Sequence, residues 1–296
     1  MQTLNMYLRQ TFGCKVYKIA LNGGFTCPNR DGSLDTRGCI FCSAGGSGEF
    51  AADPAKSVTE QIEDAKKRVA KKTNDGKYIA YFQAYTGTYG PIEKLRRMYA
   101  EAINHPEVVA LSIATRPDCL GEDVLALLDE LNRIKPVWIE LGLQTIHENT
   151  ADYIRRGYAL PVYDRAVQEL RQRNIEVITH VILGLPGETR EDMLKTVQFV
   201  CDSGATGIKL QLLHILKGTD LAKEYEAGQV EVLSEDDYID LLKACVAIIP
   251  ENVVIHRLTG DGDKKLLLAP LWSANKKNSL SGILILGRLS CFWWCG

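Results

Sequence analysis

No apolar run in this 296-residue chain approaches the roughly 18 residues that a membrane helix needs. The amino terminus, MQTLNMYLRQTFGCKVY, likewise has no stretch of the kind that forms a secretion signal. Both absences predict a cytoplasmic protein with no membrane partner. Basic residues are not in excess: 35 Lys and Arg stand against 37 Asp and Glu, so no global positive field marks a nucleic-acid binder and only a local basic face would serve. Aromatic residues make up 8% and do not interleave with basic ones, so no base-stacking stripe is visible. No low-complexity tract occurs, and 46% hydrophobic with 24% charged residues is the balance of a globular chain. Disordered, collagen-like and coiled-coil readings are thereby excluded.

Cysteine is what the chain has in number. Of nine, Cys27, Cys39 and Cys42 fall within 16 residues, Cys14, Cys119, Cys201 and Cys245 stand alone, and Cys291 and Cys295 lie at the end. In a reducing compartment a disulfide framework is not expected, and clustered thiols call for a metal or a redox role. The trio reads C-x11-C-x2-C in a loop rich in Gly, Asn, Asp and Arg. Three thiolates are too few for a closed zinc site. A [4Fe-4S] cluster usually takes four cysteines, so three leave one iron open to a non-protein ligand. Two other readings stand beside it. Cys39 and Cys42 form a redox dithiol with Cys27 as a small buried residue, or they join Cys291 and Cys295 in a zinc site that requires the tail to fold back.

Six β-rich runs alternate with amphipathic ones: Lys15 to Leu21, Tyr78 to Ala84, Val108 to Ala114, Val137 to Leu143, Glu176 to Leu183 and Gly207 to Leu213. Helix starts are marked by capping-box spacing at Ser57 with Glu60 and at Ser234 with Asp237, and by Pro91 and Pro161 in the first turn. Repeated right-handed crossovers predict an α/β fold, a partial (β/α)6 TIM-like barrel over residues 1–228, with an open doubly wound sheet as the rival. Residues 229–296 form a C-terminal extension packed on it, whose last part, 278–296, is atypical. The segments after the strands are polar or Gly-rich and would gather at one rim. From that rim Tyr85, Arg116, Asp118, His214 and Lys217 are candidates to meet substrate. Glu140, Gly142 and Gln144 share one face of their strand by parity, which puts two polar residues toward an interior. The run KKRVAKK at 66–72 carries five cations and reads as a solvated face. GLPGE at 184–188 lacks the Lys-Ser/Thr of a phosphate loop and the spacing of a dinucleotide fingerprint. Cys119, isolated, reads as inert packing.

The trio with Phe41 between its paired cysteines, followed in order by TRPD (115–118), ELGLQT (140–145), IRRGY (154–158) and ILGLPGET (182–189), resembles radical S-adenosylmethionine (SAM) enzymes of the branch related to the Elongator catalytic subunit. GFTCPNRDG, FQAYTGTY, LLHILKGT and HRLTGDGDKKLLLAPLWS look most like the YhcC/YtqA proteins, and the resemblance runs from about Phe12 to Ser273. It implies that Cys27, Cys39 and Cys42 hold a [4Fe-4S] cluster whose open iron is chelated by SAM. Reductive cleavage would release a 5′-deoxyadenosyl radical that abstracts hydrogen from substrate. Phe41, Gln144, Arg156, His180 and Gly184 would contact the cofactor, with Gln144 and Arg156 near its methionine part. His180 departs from the acidic residue that relatives carry there. The resemblance further implies tRNA as partner, modified at a wobble uridine of the 5-carboxymethylaminomethyl type, and an electron donor such as flavodoxin or ferredoxin. A radical enzyme acting on a small metabolite and a zinc-stabilised scaffold are the alternatives. The tail NSLSGILILGRLSCFWWCG replaces the charged helix of relatives and reads as an altered frame or truncated gene.

Overall fold

Short apolar strands alternating with capped helices wind into one parallel sheet in a computed structural model, which describes residues 1–46, 48, 51–70, 76–260 and 262–275. The chain opens with β1 (Gln2–Thr3) and α1 (Leu4–Phe12), the latter capped by the Thr3 side chain and ended by Gly13 at φ 72°. The six expected strands follow as β2 (Tyr17–Leu21), β3 (Tyr78–Phe82), β4 (Val108–Thr115), β5 (Val137–Gln144), β6 (Glu176–Leu183) and β7 (Gly207–Leu212). Between and after them run α2 (Val58–Val69), α3 (Ile92–Asn104), α4 (Glu122–Asn132), α5 (Glu148–Tyr153), α6 (Leu160–Gln172), α7 (Arg190–Asp202), α8 (Asp220–Glu226) and α9 (Glu235–Ile248). Three further strands are β8 (Ile215–Leu216), β9 (Val254–Arg257) and β10 (Leu267–Ala269). Ser57 with Glu60 closes a full capping box on α2, and the Ser234 side chain caps α9. Pro161 lies in the first turn of α6, whereas Pro91 stands one place earlier, as the N-cap of α3.

The main sheet has eight strands in the order β1-β9-β7-β6-β5-β4-β3-β2, an α/β barrel left open between β1 and β2. Two of its strands, β1 and β9, come from outside the six expected runs, and β9 from the segment expected to pack on the barrel. β8 and β10 pair antiparallel in a separate ribbon. That the sheet curls follows from its side chains. β3 and β7 are four strands apart, about 19 Å if flat, yet Lys209 Nζ of β7 lies 3.4 Å from the Tyr81 hydroxyl of β3. The outer face is covered by the helices in one large apolar core. Inside, Leu4 and Leu8 of α1 pack with Ile79, Ala110, Trp138, Ile178 and Val254 and plug the amino-terminal end of the barrel. The charged side chains Glu140 and Lys209 of the interior lie above this plug, toward the carboxyl ends of the strands.

Candidate active site

The loop after β2 carries the three cysteines and is wound by its own backbone. Arg30 N and Asp31 N donate to the Cys27 carbonyl at 2.8 and 3.2 Å, Gly38 N to Asn29 O at 2.6 Å, and Cys42 N to Cys39 O at 3.0 Å. It is stapled to the rest of the rim by Ile40 N to Ile154 O at 3.3 Å, by Leu221 N to Ile40 O at 3.0 Å, and by Asn29 Nδ2 to Arg155 O at 2.7 Å. Ile40 anchors in an apolar cluster with Ile154, Ile182, Leu185 and Ile215, which leaves its neighbour Phe41 at the cavity. Cys27, Cys39 and Cys42 line one cavity at the carboxyl end of the barrel, facing Glu140, Gly142, Gln144 and His180.

The sulfur environment fits a cluster better than a single ion. Among the described residues the one His/Cys/Asp/Glu trio whose ligand atoms all lie within 4.8 Å of one another is Glu63, His105 and Glu107 on the surface. At least one pair of the three sulfurs is thus more than 4.8 Å apart, wider than the about 3.8 Å separating thiolates on one tetrahedral zinc. Cys291 and Cys295, which the zinc reading needs, lie outside the described residues. Burial and then the neighbouring Cys42 push the Cys39 thiol up to about 12, so a metal bound there must displace protons. The Asn29 amide, 3.5 Å from Cys39 Sγ, and the Arg116 charge act the other way.

Gln144 stands across the cavity. A bulge in β5 skips Leu143 in the register with β6, and Gln144 adopts φ 71°, a left-handed conformation that a side chain rarely takes. Its Oε1 is buried and among the described residues has no hydrogen-bond partner. Such an orphan implies a donor that is not part of the protein, as the amino group of a bound SAM would be. Tyr85, also at the cavity, has φ 58°, and Arg155, next to the cavity residue Arg156, has φ 59°.

Of the other expected site residues, the cavity collects Phe41, Tyr85, Arg116, Glu140, Arg156 and His180. Arg156 is committed within the protein: its guanidinium donates to Thr145 O at 2.6 Å, Tyr158 O at 3.0 Å and the Glu148 carboxylate at 3.1 Å. Both nitrogens of His180 are also engaged, Nε2 with Glu140 at 2.7 Å and Nδ1 with Gln211 at 3.2 Å. Arg116 forms a two-point pair with Asp118 at 2.9 and 2.7 Å. Asp118 itself lines a separate surface depression of about 590 Å³ with Pro28, Thr88 and Cys119. Gly184, His214 and Lys217 are not among the cavity residues. Gly184 at φ 87° faces Leu233, His214 lies under Gly260 and Gly262, and Lys217 is exposed. The lysines of the basic run that fall on α2 pair with acids, Lys66 with Glu63 and Glu107, Lys67 with Asp64.

Sequence reading missed a charged layer beneath the cavity. Glu140, fully buried, accepts from Lys18, Lys209, Ser112 and His180. Against the cost of its burial, Lys18 and Lys209 hold its carboxyl well below the usual range. Tyr81, Gln211 and Arg257 complete the wall. The signal was available for the lysines: each interrupts an apolar strand on its inward parity, and a buried charge is rarely idle.

Comparison with known proteins fits this picture. The family model "Radical SAM superfamily" matches residues 35–200, and "Radical_SAM C-terminal domain" matches residues 205–284. YtqA of Bacillus subtilis, an uncharacterized protein, is 49% identical over 95% of this chain and 87% of its own. A tRNA uridine(34) acetyltransferase of Methanocaldococcus jannaschii is 27% identical over 52% of this chain and 28% of its own. Among solved structures, Elp3 of Methanocaldococcus infernus superposes with a TM-score of 0.66 at 19% identity, over 86% of this chain and 58% of that one, and so shares the fold.

Proposed function

This chain belongs to the radical SAM superfamily, whose enzymes use a [4Fe-4S] cluster and SAM, and on that premise we propose that it is a cytoplasmic tRNA-modifying member acting on a wobble uridine. Three thiols and the orphaned Gln144 Oε1 facing one cavity carry the cofactor part of this reading. Cys27, Cys39 and Cys42 hold the cluster, and Gln144 accepts from the amino group of SAM while Phe41 packs beside the cysteine pair. A cluster held by these three thiols would supply, from a donor such as flavodoxin or ferredoxin, the electron for reductive cleavage of SAM. The residues of the chain do the rest: the apolar plug closes one end, the loop staples fix the thiols, and the barrel wall keeps water from the reacting carbon. The substrate reading, a uridine bearing 5-carboxymethylaminomethyl, draws on the relative named for tRNA uridine 34 and on the shared fold.

Anaerobic reconstitution tests the first part. About four irons per chain, with 5′-deoxyadenosine formed from SAM and dithionite and lost in Cys39→Ala, is expected; stoichiometric zinc without cleavage overturns it. Salt-dependent tRNA binding, followed by mass analysis of wobble nucleosides after turnover, tests the second. Unchanged nucleosides alongside turnover of a small metabolite would move the enzyme to another substrate class.

A further inference from the structure

The inner wall of the cavity carries more positive charge than the protein neutralises. Lys18, from beneath, and Lys209, at the wall, both pair with a single carboxylate, Glu140, and Arg257 stands beside Lys209. Glu140 is already saturated by both lysines, Ser112 and His180. Arg257 is only partly buried, lines the cavity, and among the described residues has no acidic partner. Its placement comes from a bulge: β9 pairs Ile255 with Ile208 and then Arg257 with Lys209, skipping His256. His180, Lys209 and Arg257 thereby become register neighbours across β6, β7 and β9. Bulges beside active sites commonly re-aim a side chain in this way. Other cations serve the cysteines. Arg30 and Arg116 feel the charge of the sulfurs, whereas the charges acting on Lys209 are those of Glu140, Lys18 and Arg257. Burial above all, and then the charges of Lys18 and Arg257, pull Lys209 down to about 7 despite Glu140. SAM does not supply the deficit, since its sulfonium offsets its one carboxylate.

We propose that Lys209 and Arg257, with Gln211 beside them and Lys18 holding Glu140 from beneath, form an anion-binding wall that holds a carboxylate carried by the substrate at the inner end of the cavity. A guanidinium and an ammonium side by side suit a planar two-oxygen anion. The wall lies inside the barrel, where a group projecting from a base reaches and a nucleic-acid backbone does not. The identity of that carboxylate, the terminal group of the carboxymethylaminomethyl side chain, rests on the proposed function; the wall itself does not.

The test uses the reconstituted holoenzyme and separates the two. Replacing sodium chloride by sodium acetate at equal ionic strength should raise Tm by about 2 °C in the wild type, with or without saturating SAM. That rise should vanish in Arg257→Gln and persist in Arg257→Lys. No rise in the wild type, an equal rise in Arg257→Gln, or a rise abolished by SAM each overturns the wall, the last assigning the cations to the cofactor carboxylate. Wobble-uridine tRNA bearing the carboxymethylaminomethyl group should then bind about tenfold tighter than tRNA with an aminomethyl group in the wild type, and less than about threefold tighter in Arg257→Gln. An acetate effect without tRNA binding keeps the wall and removes the tRNA reading. Equal binding of both tRNAs without an acetate effect removes the wall and keeps that reading.

Discussion

At the scale of single residues, the side chains that matter are those whose polar atoms the fold leaves unanswered. Gln144 Oε1 has no partner among the described residues, so its loss removes nothing from the folded state but a ligand contact. Gln144→Ala is expected to weaken SAM binding about tenfold while leaving the unfolding free energy within about 0.5 kcal/mol; equilibrium dialysis and urea melts check both, and a destabilised variant that binds SAM normally contradicts the role. His180 is the opposite case, fully answered by Glu140 and Gln211. Burial, and then the Lys209 charge, lower its imidazole from 6.5 to about 4, so the fold favours the neutral ring. That contribution is complete above the unfolded value of about 6.5 and is lost as pH falls toward 4, about 3 kcal/mol in all. Urea melts from pH 7 to 4.5 should show a shallower loss of stability in His180→Gln than in the wild type, and equal slopes would refute it. Parity made Gln144 and Glu140 legible in the sequence, and lysines inside apolar strands could have been read the same way. Arg257 could not, because its inward position depends on a bulge that alternation does not encode.

Elements were legible in proportion to their length. The six strands of the barrel are buried runs of five to eight residues, long enough for an apolar signature to rise above chance. β1, β9 and β10, of two, four and three residues, carry no readable period and exist because a neighbour's edge pairs with them. One helix start escaped for a different reason. Thr189 and Asp192 form a reciprocal capping box on α7, with Asp in place of the usual Glu. The box sits directly after the GLPGE turn, whose Glu188 accepts from Thr145 at the mouth of β5. Thr189→Ala is expected to cost about 1 kcal/mol and to lower Tm by about 2–4 °C. Differential scanning calorimetry reads this directly, and an unchanged melt would mean that tertiary packing of α7 alone defines its first turn.

For the whole molecule, the decisive feature is that a strand from the first residues and one from beyond Gly228 lie side by side in one sheet. β1 pairs with β9, and β9 with β7, so residues beyond Gly228 extend the barrel sheet as well as flank it. Tyr238, Leu241, Leu242, Ile249, Val253, Ile255 and Leu258 are all at most 6% exposed, and at 1.5–3 kcal/mol each their burial contributes more than about 10 kcal/mol. That is the size of the entire net stability of an ordinary domain. Removal of the segment also uncovers the edge of β7, leaves β1 without a partner, and takes away Arg257 from the cavity wall. A fragment of residues 1–228 should therefore be insoluble or melt without cooperativity, in contrast to the full chain. A soluble fragment with a sharp thermal transition would show that the six-stranded barrel is self-sufficient and that β9 serves the cavity alone.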